Sequence, residues 1–181
     1  MPGSSFWSDY NVEPKRQFRW TLTFGTVNLP QWIVKGVDKP VATVSSVQHK
    51  FLGYTYNYPG TVTWNDINVT LVDPVQPNAV SELAAMLTAA GYKPPIASTE
   101  LVQNISKKKS GDASGAITIR QVDAQGGILE EWKLVNPIIT SADFGGALSY
   151  DNENLIEIKL GLKYDWAHLT GAGGSTAQWP I

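Results

Sequence analysis

The sequence predicts a mostly β domain of the sandwich or barrel type, with one flanking α-helix and a long extended hairpin. Several stretches alternate apolar and polar residues with a period of two, which is typical of strands that have one buried face. The clearest stretch covers residues 156–166, where the apolar side chains share one parity. Only residues 78–90 combine helical spacing with clear start and stop signals. Turn residues separate the strand-like stretches, so we expect about seven or eight strands.

The first elements follow a polar arm over residues 1–15 that carries scattered aromatic residues. The first strand is predicted within residues 16–24, where Phe18, Trp20 and every second residue after them are apolar. A short second strand is predicted over residues 32–37, where a turn region rich in Asp and Pro ends it.

A long hairpin is predicted next. Residues 41–58 form one extended arm, and residues 61–64 begin the return. The intervening Tyr-Pro-Gly-Thr at 58–61 suits a type II turn, with Pro and Gly at its centre. Because tight two-residue hairpins prefer the primed turns, we expect a looser bend here. Residues 65–73 continue as an alternating strand.

The helix over residues 78–90 has clear boundaries. Asn78 is a suitable N-cap, because its side chain accepts a hydrogen bond from the unpaired amides of the first turn. Gly91 suits the position after the last turn, and the following Pro94–Pro95 cannot continue a helix. The apolar stripe is narrow and rich in alanine, so the helix is predicted to lie flat against a sheet.

The second half of the chain returns to strands. The three lysines at 107–109, followed by Ser-Gly-Asp, are typical of a solvated loop. Residues 116–123 and 128–136 are predicted to form a second hairpin. Residues 137–146 are predicted to stay extended up to a Gly-Gly corner.

The final strand, residues 156–166, is predicted to close a single domain that spans residues 1–181. Its β core covers residues 16–166. The last residues, 167–181, are rich in Gly and Ser and are predicted to form a flexible tail.

The composition excludes several classes of protein. Charged residues make up 17% of the chain, below the average of about 25%, and the formal net charge is −2. Few charges with seven Trp and seven Tyr favour either an aromatic core or an extensive interface. The charge gives no basic footprint for nucleic-acid binding. There is no cysteine, no apolar run long enough for a transmembrane helix and no secretion signal.

No arrangement of residues predicts catalysis. His49 and His168 lack the spacing of metal ligands, and solvent-exposed surface is the favoured interpretation of both. Glu130 and Glu131 lie on opposite faces of a strand and cannot act as a paired acid and base. Residues 151–154 form an acidic turn that does not meet the EF-hand pattern of a Ca²⁺ site. We therefore predict no enzyme and no catalytic, cofactor-binding or metal-binding residue.

The order of the features is more specific than any of them alone. A long arm, a turn and a return strand lead directly into a helix, and an acidic turn and a long alternating strand come much later. This order resembles the tail tube proteins of contractile-tailed bacteriophages, which are similar to the inner-tube proteins of pyocins and type VI secretion. The resemblance covers residues 17–166. It is sharpest in SADFGGALSYDNENLIEIKLGLKYDW and next best in YPGTVTWNDINVTLVD.

The resemblance implies a structural virion protein that assembles in the host cytoplasm. Hexameric rings would stack into a hollow tail tube inside a contractile sheath, and DNA would pass through the lumen without sequence-specific binding. Implied partners are further copies of the chain, the sheath protein, and the baseplate and tail terminator proteins. A tube-like baseplate or terminator component is an alternative. A second alternative is a carbohydrate-binding β-sandwich that uses Tyr54, Tyr56, Tyr58 and Trp64 as a stacking platform.

Two sets of residues are candidates for contacts with other subunits. The three tyrosines of the hairpin share one parity, and such an apolar stripe needs a cover. The alternative is that the stripe packs on its own sheet. The subunit-interface candidates are Phe51, Tyr54, Tyr56, Tyr58, Pro59, Gly60 and Trp64.

The sheath-facing candidates are Lys107, Lys108 and Lys109, for which a solvated loop is the alternative interpretation. The lumen is predicted to be neutral to acidic, because Lys and Arg are scarce on the predicted strands and residues 151–154 are acidic.

Overall fold

A computed structural model describes residues 14–27, 29–92 and 105–171. Most of the predicted N-terminal arm and residues 172–181 of the predicted tail lie outside these ranges. In chain order the strands are β1 (Trp20–Thr23), β2 (Val34–Val37), β3 (Ala42–Phe51), β4 (Tyr54–Trp64), β5 (Ile67–Val72), β6 (Ile117–Val122), β7 (Ile128–Val135), β8 (Ile138–Asp143), β9 (Glu157–Lys163) and β10 (Trp166–Gly171). A 3-10 helix (Gln31–Ile33) precedes β2, and α1 (Ala79–Ala89) and α2 (Lys107–Ser114) lie between β5 and β6.

The strands form two four-stranded antiparallel sheets and one separate hairpin. The first sheet has the order β1-β6-β7-β10 and the second has the order β2-β5-β9-β8. Among the described strands, β3 and β4 pair only with each other. This architecture confirms the predicted mostly β fold.

Both sheets contribute to one hydrophobic core. Alternate residues of β5 and β9 are fully buried, as the period of two predicts, and Leu22, Ile119 and Leu134 of the first sheet join the same cluster. Each fully buried aliphatic side chain contributes roughly 1.5–3 kcal/mol relative to an exposed one. Burial in the core of a single subunit therefore accounts for the alternating pattern of β9.

The predicted helix is confirmed as α1. The Asn78 side chain accepts a hydrogen bond from the Ser81 amide at 2.9 Å, as expected of an N-cap. Leu83 and Met86 face the core. Gly91, with a φ of 96°, donates its amide to the Thr88 carbonyl at 3.0 Å, so the helix ends where predicted.

The predicted solvated loop at residues 107–112 is instead the start of α2. Ser106 caps this helix by accepting a hydrogen bond from the Lys109 amide at 3.2 Å. Ser110 and Ala113 are buried, and the helix contacts α1 and β8. Tertiary packing thus outweighs the poor helix propensity of the internal Gly111.

The predicted single strand over residues 156–166 is wrong, since the structure divides it into β9 and β10 in different sheets. The strand structure is interrupted at Tyr164–Asp165. There Asp165 accepts hydrogen bonds from Asn136 at 2.7 Å and Lys107 at 2.6 Å. The predicted flexible tail is also wrong up to Gly171, because Ala167 is buried and β10 pairs with β7. His168 accordingly lies in a strand and is half-buried.

Candidate assembly surface

The hairpin of β3 and β4 has its turn at a different place from the one predicted. Phe51 pairs with Tyr54, so the loop consists of Leu52 and Gly53 alone. Both residues have positive φ angles, 47° and 79°, which is the geometry of a primed two-residue turn. From Ala42 to the turn the hairpin is about 30 Å long at the usual rise per residue.

Pro59 and Gly60, predicted to form the bend, lie inside β4 beside a bulge. The register moves from Val44 opposite Val62 to Ser46 opposite Pro59, so β4 carries one extra residue. A Cβ atom on Gly60 would lie 2.3 Å from the Ser45 hydroxyl and 3.1 Å from the Ser45 carbonyl oxygen, so this close approach favours glycine. Pro59 has no amide hydrogen to donate to the neighbouring strand, and a bulge does not require one. The Pro-Gly pair therefore marks an irregularity within the strand.

The outer half of the hairpin has one aromatic face and one polar face. Directly paired residues project on the same side of a two-stranded sheet. The register therefore places a set of apolar side chains and one histidine on a single face, here called the aromatic face: Val47, His49, Phe51, Tyr54, Tyr56 and Tyr58. The opposite, polar face carries Ser46, Gln48, Lys50, Thr55 and Asn57.

The part of the chain that the structure describes leaves the aromatic face uncovered. Tyr54, Tyr56 and Tyr58 are 71%, 48% and 55% exposed, and Phe51 and Val47 are exposed to a similar degree. The alternative that this stripe packs on its own sheet is therefore wrong. A contiguous apolar surface of this kind marks an interaction site on soluble proteins.

The bulge changes which face is apolar in the inner half of the hairpin. Ala42 pairs with Trp64 and Val44 with Val62, so these apolar side chains project on the side of the polar face. The Trp64 ring lies 5.9 Å from the Tyr164 ring at an angle of 56°. Trp64 therefore anchors the hairpin to the core, and the predicted four-residue stacking platform for carbohydrate does not form.

A second exposed apolar surface lies on the segment over residues 144–156, here called the β8–β9 loop. Leu148 is 81% exposed, and Tyr150 and Leu155 are also exposed. The loop curls around a shallow pocket of about 410 Å³ lined by its own residues. The sequence interpretation missed this surface because it considered only the acidic turn within the loop.

Local hydrogen bonds hold the start of the loop and its acidic turn. The Asp143 carboxylate accepts from the amides of Gly145 and Gly146 at 3.2 and 3.1 Å. Gly145 has a φ of 119° and packs so closely on Ile156 that a Cβ atom would lie 2.5 Å from that side chain. The acidic turn is stabilised locally, since the Asn154 amide donates to the Asn152 side chain at 3.0 Å. The loop thus presents a defined shape.

The three lysines predicted to face a sheath lie on α2 and are exposed. Lys107 forms an ion pair with Asp165. Hydrogen bonds from Asn136 and then from Lys107 lower the pKa of the Asp165 carboxyl. Lys107 therefore helps to hold the break between β9 and β10.

Glu130 and Glu131 lie on opposite sides of β7, as predicted. Glu131 forms an ion pair with Arg120 of the adjacent strand β6. Glu130 instead accepts hydrogen bonds from Lys15, Lys39 and the indole of Trp132. Partial burial acts to raise the pKa of Glu130, but the lysine contacts outweigh it and lower that pKa to about 2. A carboxylate that is charged at neutral pH and held by two lysines has a structural role.

The described residues hold no candidate for metal chemistry. Within residues 14–27, 29–92 and 105–171, no group of three or more His, Cys, Asp or Glu side chains could bind a metal ion. Neither α1 nor α2 is long and apolar enough to cross a membrane.

Comparison with known proteins identifies the fold. No family model matches the chain, and no curated protein sequence matches it. Among solved structures, the chain is similar to the tube terminating cap of the anti-feeding prophage, with 15% identity, a TM-score of 0.66, and coverage of 93% of this chain and 99% of the cap protein.

Two proteins of an extracellular contractile injection system, PVC, are also similar. Its sheath/tube terminator has 14% identity and a TM-score of 0.63 over 88% of this chain and 99% of that one. A protein of its sheath-tube complex has 13% identity and a TM-score of 0.63 over 95% of this chain and 99% of that one. The chain therefore has the fold found in tube and terminator assemblies of contractile injection systems.

Proposed function

We propose that the chain is a structural subunit of the tube of a contractile particle, in which hexameric rings stack into a hollow conduit. The fold supports this proposal because similar chains occur in sheath-tube and terminator assemblies. A protein of this kind works mechanically, so it needs extensive contacts between copies and no reactive group.

The observation that carries the proposal is the exposed aromatic face of the hairpin. Tyrosine combines a large apolar area with one polar tip and few rotatable bonds, which suits it to protein interfaces. Within the described residues, the hairpin pairs with neither sheet and its aromatic face stays exposed. We infer that neighbouring copies cover it.

The remaining partners follow from the same proposal. The sheath would enclose the tube, and the exposed lysines of α2 are candidates for contacts with it. Baseplate and terminator proteins would join the two ends. DNA would pass through the lumen without sequence-specific binding, and a lumen poor in Lys and Arg would avoid the counterion release that drives nucleic-acid binding. The particle would be a phage virion tail assembled in the host cytoplasm.

A terminator or baseplate component is the second candidate. Two similar structures belong to a tube cap and a sheath/tube terminator, and another belongs to the anti-feeding prophage baseplate, with a TM-score of 0.58. A terminator needs to form only one ring, whereas a tube protein stacks many rings.

Negative-stain electron microscopy of the purified full chain tests the proposal and separates the two candidates. A tube protein is expected to form hexameric rings and open-ended tubes of variable length. A terminator is expected to form single rings at every protein concentration. A chain that remains monomeric from micromolar to millimolar concentration would contradict both.

A further inference from the structure

The two exposed apolar surfaces lie at opposite ends of the same strand. Trp64, at the base of the hairpin, leads directly into β5 at Ile67. At its other end β5 finishes at Val72, which pairs with Glu157, the first residue after the β8–β9 loop. The base of the hairpin and the loop are therefore separated by the length of β5, about 17 Å at the usual rise per residue.

We propose that the aromatic face of one copy docks on the β8–β9 loop of the next copy. The inference rests on the proposed self-assembly and names the surfaces that perform it. Two different surfaces at opposite ends of one chain form a heterologous contact, and such contacts propagate into rings or filaments. Each copy then covers one exposed surface of each neighbour.

The shapes of the two surfaces favour this pairing. The aromatic face is a ridge of side chains on a narrow hairpin, and the loop lines a shallow, concave pocket. Leu148, Leu155 and Ile156 give the pocket apolar walls, and Asn152 and Asn154 add amide groups. A tyrosine ring can bury its apolar area in such a pocket while its hydroxyl group bonds to an amide.

The charges of the two surfaces are compatible with this pairing. The hairpin from residue 42 to residue 64 contains no acidic residue, and its one lysine, Lys50, lies on the polar face. The loop from residue 144 to residue 156 contains Asp151 and Glu153 and no basic residue. The two carboxylates of the loop disfavour a loop-to-loop contact, whereas the aromatic face has no acidic residue to repel them.

Cysteine cross-linking tests the contact directly, because the chain contains no cysteine. The double variant Val47→Cys/Ser149→Cys places one thiol on the aromatic face and one on the loop. A disulfide forms only when the two Cβ atoms approach to about 3.5–4.5 Å. If the surfaces meet in successive copies, mild oxidation of the assembled protein should give a ladder of covalent multimers on a non-reducing gel.

Matched variants separate this contact from others. Each single variant should remain monomeric on the gel, since a Val47→Cys dimer would indicate that two aromatic faces pack on each other. Ser46→Cys/Ser149→Cys moves the hairpin thiol by one residue to the polar face and should give no ladder. A second pair, His49→Cys/Ala147→Cys, guards against local disruption by either substitution of the first pair.

The outcomes distinguish this inference from the proposed function. Ladders from the aromatic-face pairs alone support the inference. Assembled rings or tubes in which neither aromatic-face pair forms a ladder would overturn it and leave the proposed function standing. Equal ladders from the polar-face control would also overturn it. If the unsubstituted chain forms no assembly, both the proposed function and this inference fail.

Discussion

The hairpin and the paired sheets use the same sequence pattern for opposite purposes. In β9, Ile158, Leu160 and Leu162 occupy one parity and are completely buried. In β4, Tyr54, Tyr56 and Tyr58 also occupy one parity, yet all three are exposed. The difference is in the neighbours. Strand β9 lies between two strands of a sheet that packs on the core, whereas β3 is the one described strand that pairs with β4. Alternation therefore shows that a face needs a cover, but it does not show which molecule provides the cover.

Changing Tyr54, Tyr56 and Tyr58 together to Ser is expected to have the largest effect. Assembly should be abolished because the loss recurs at every contact between copies, while the monomer should keep its fold. Circular dichroism and thermal melting measure the monomer, and electron microscopy measures assembly. The matched control changes Gln48, Thr55 and Asn57 of the polar face to Ser and should still assemble. A triple tyrosine variant that fails to fold would place these side chains in the core.

The complementary substitution is Leu160→Ala in β9. It should lower the free energy of unfolding by roughly 2–5 kcal/mol, because it leaves a cavity in a closely packed core. Val47→Ala on the aromatic face should change the stability of the monomer by less than about 0.5 kcal/mol. Chemical denaturation of the unassembled monomer measures both. Equal losses would show that the hairpin is part of the core.

The elements that depend on local signals were predictable from the sequence. Asn78 and Gly91 bound α1 as predicted, and the second hairpin appears as β6 and β7. The break between β9 and β10 was not predictable, because apolar residues keep the same parity through Tyr164 and Trp166 while the chain changes sheets. The period of two is insensitive to such a change, which depends on the contacts of Asp165 with residues far along the chain.

The assembly surface was predictable only in part. The stripe of tyrosines is visible in the sequence, but the turn position is not, because Pro59 and Gly60 have the composition of a bend and instead form a bulge against Ser45. The true turn, Leu52–Gly53, has a leucine with a positive φ, which propensity disfavours. Strand pairing over many residues outweighs that local cost. The β8–β9 loop has no periodic pattern, so its exposure could be found only in the structure.

Low pH should destabilise the fold because it protonates Glu130. The pKa of this carboxyl is lowered from 4.5 to about 2 in the folded chain, so the unfolded chain binds the proton more readily. Its contribution is therefore fully present above pH 4.5 and is lost as the pH falls toward 2. The melting temperature should fall across this window less steeply in Glu130→Gln than in the unsubstituted chain. Glu131→Gln, which removes a carboxylate on the opposite side of β7, is the matched control.

The smallest expected effect concerns the lysines of α2. Replacing Lys107, Lys108 and Lys109 together with Glu should leave tubes intact and weaken co-assembly with the sheath protein, measured by co-sedimentation. An exposed ion pair contributes only about 0–1 kcal/mol, but each contact would repeat around every ring.

The contact between Lys107 and Asp165 makes a refined variant necessary. Lys107→Glu would place two carboxylates together at the break between β9 and β10, and their repulsion would lower the stability of the subunit. Lys108→Glu avoids this contact and is the cleaner test of sheath binding. If co-sedimentation is unchanged by both the triple variant and Lys108→Glu, the lysines make no contact with the sheath. If only the triple variant loses sheath binding and also melts earlier, the cause is the disturbed contact with Asp165.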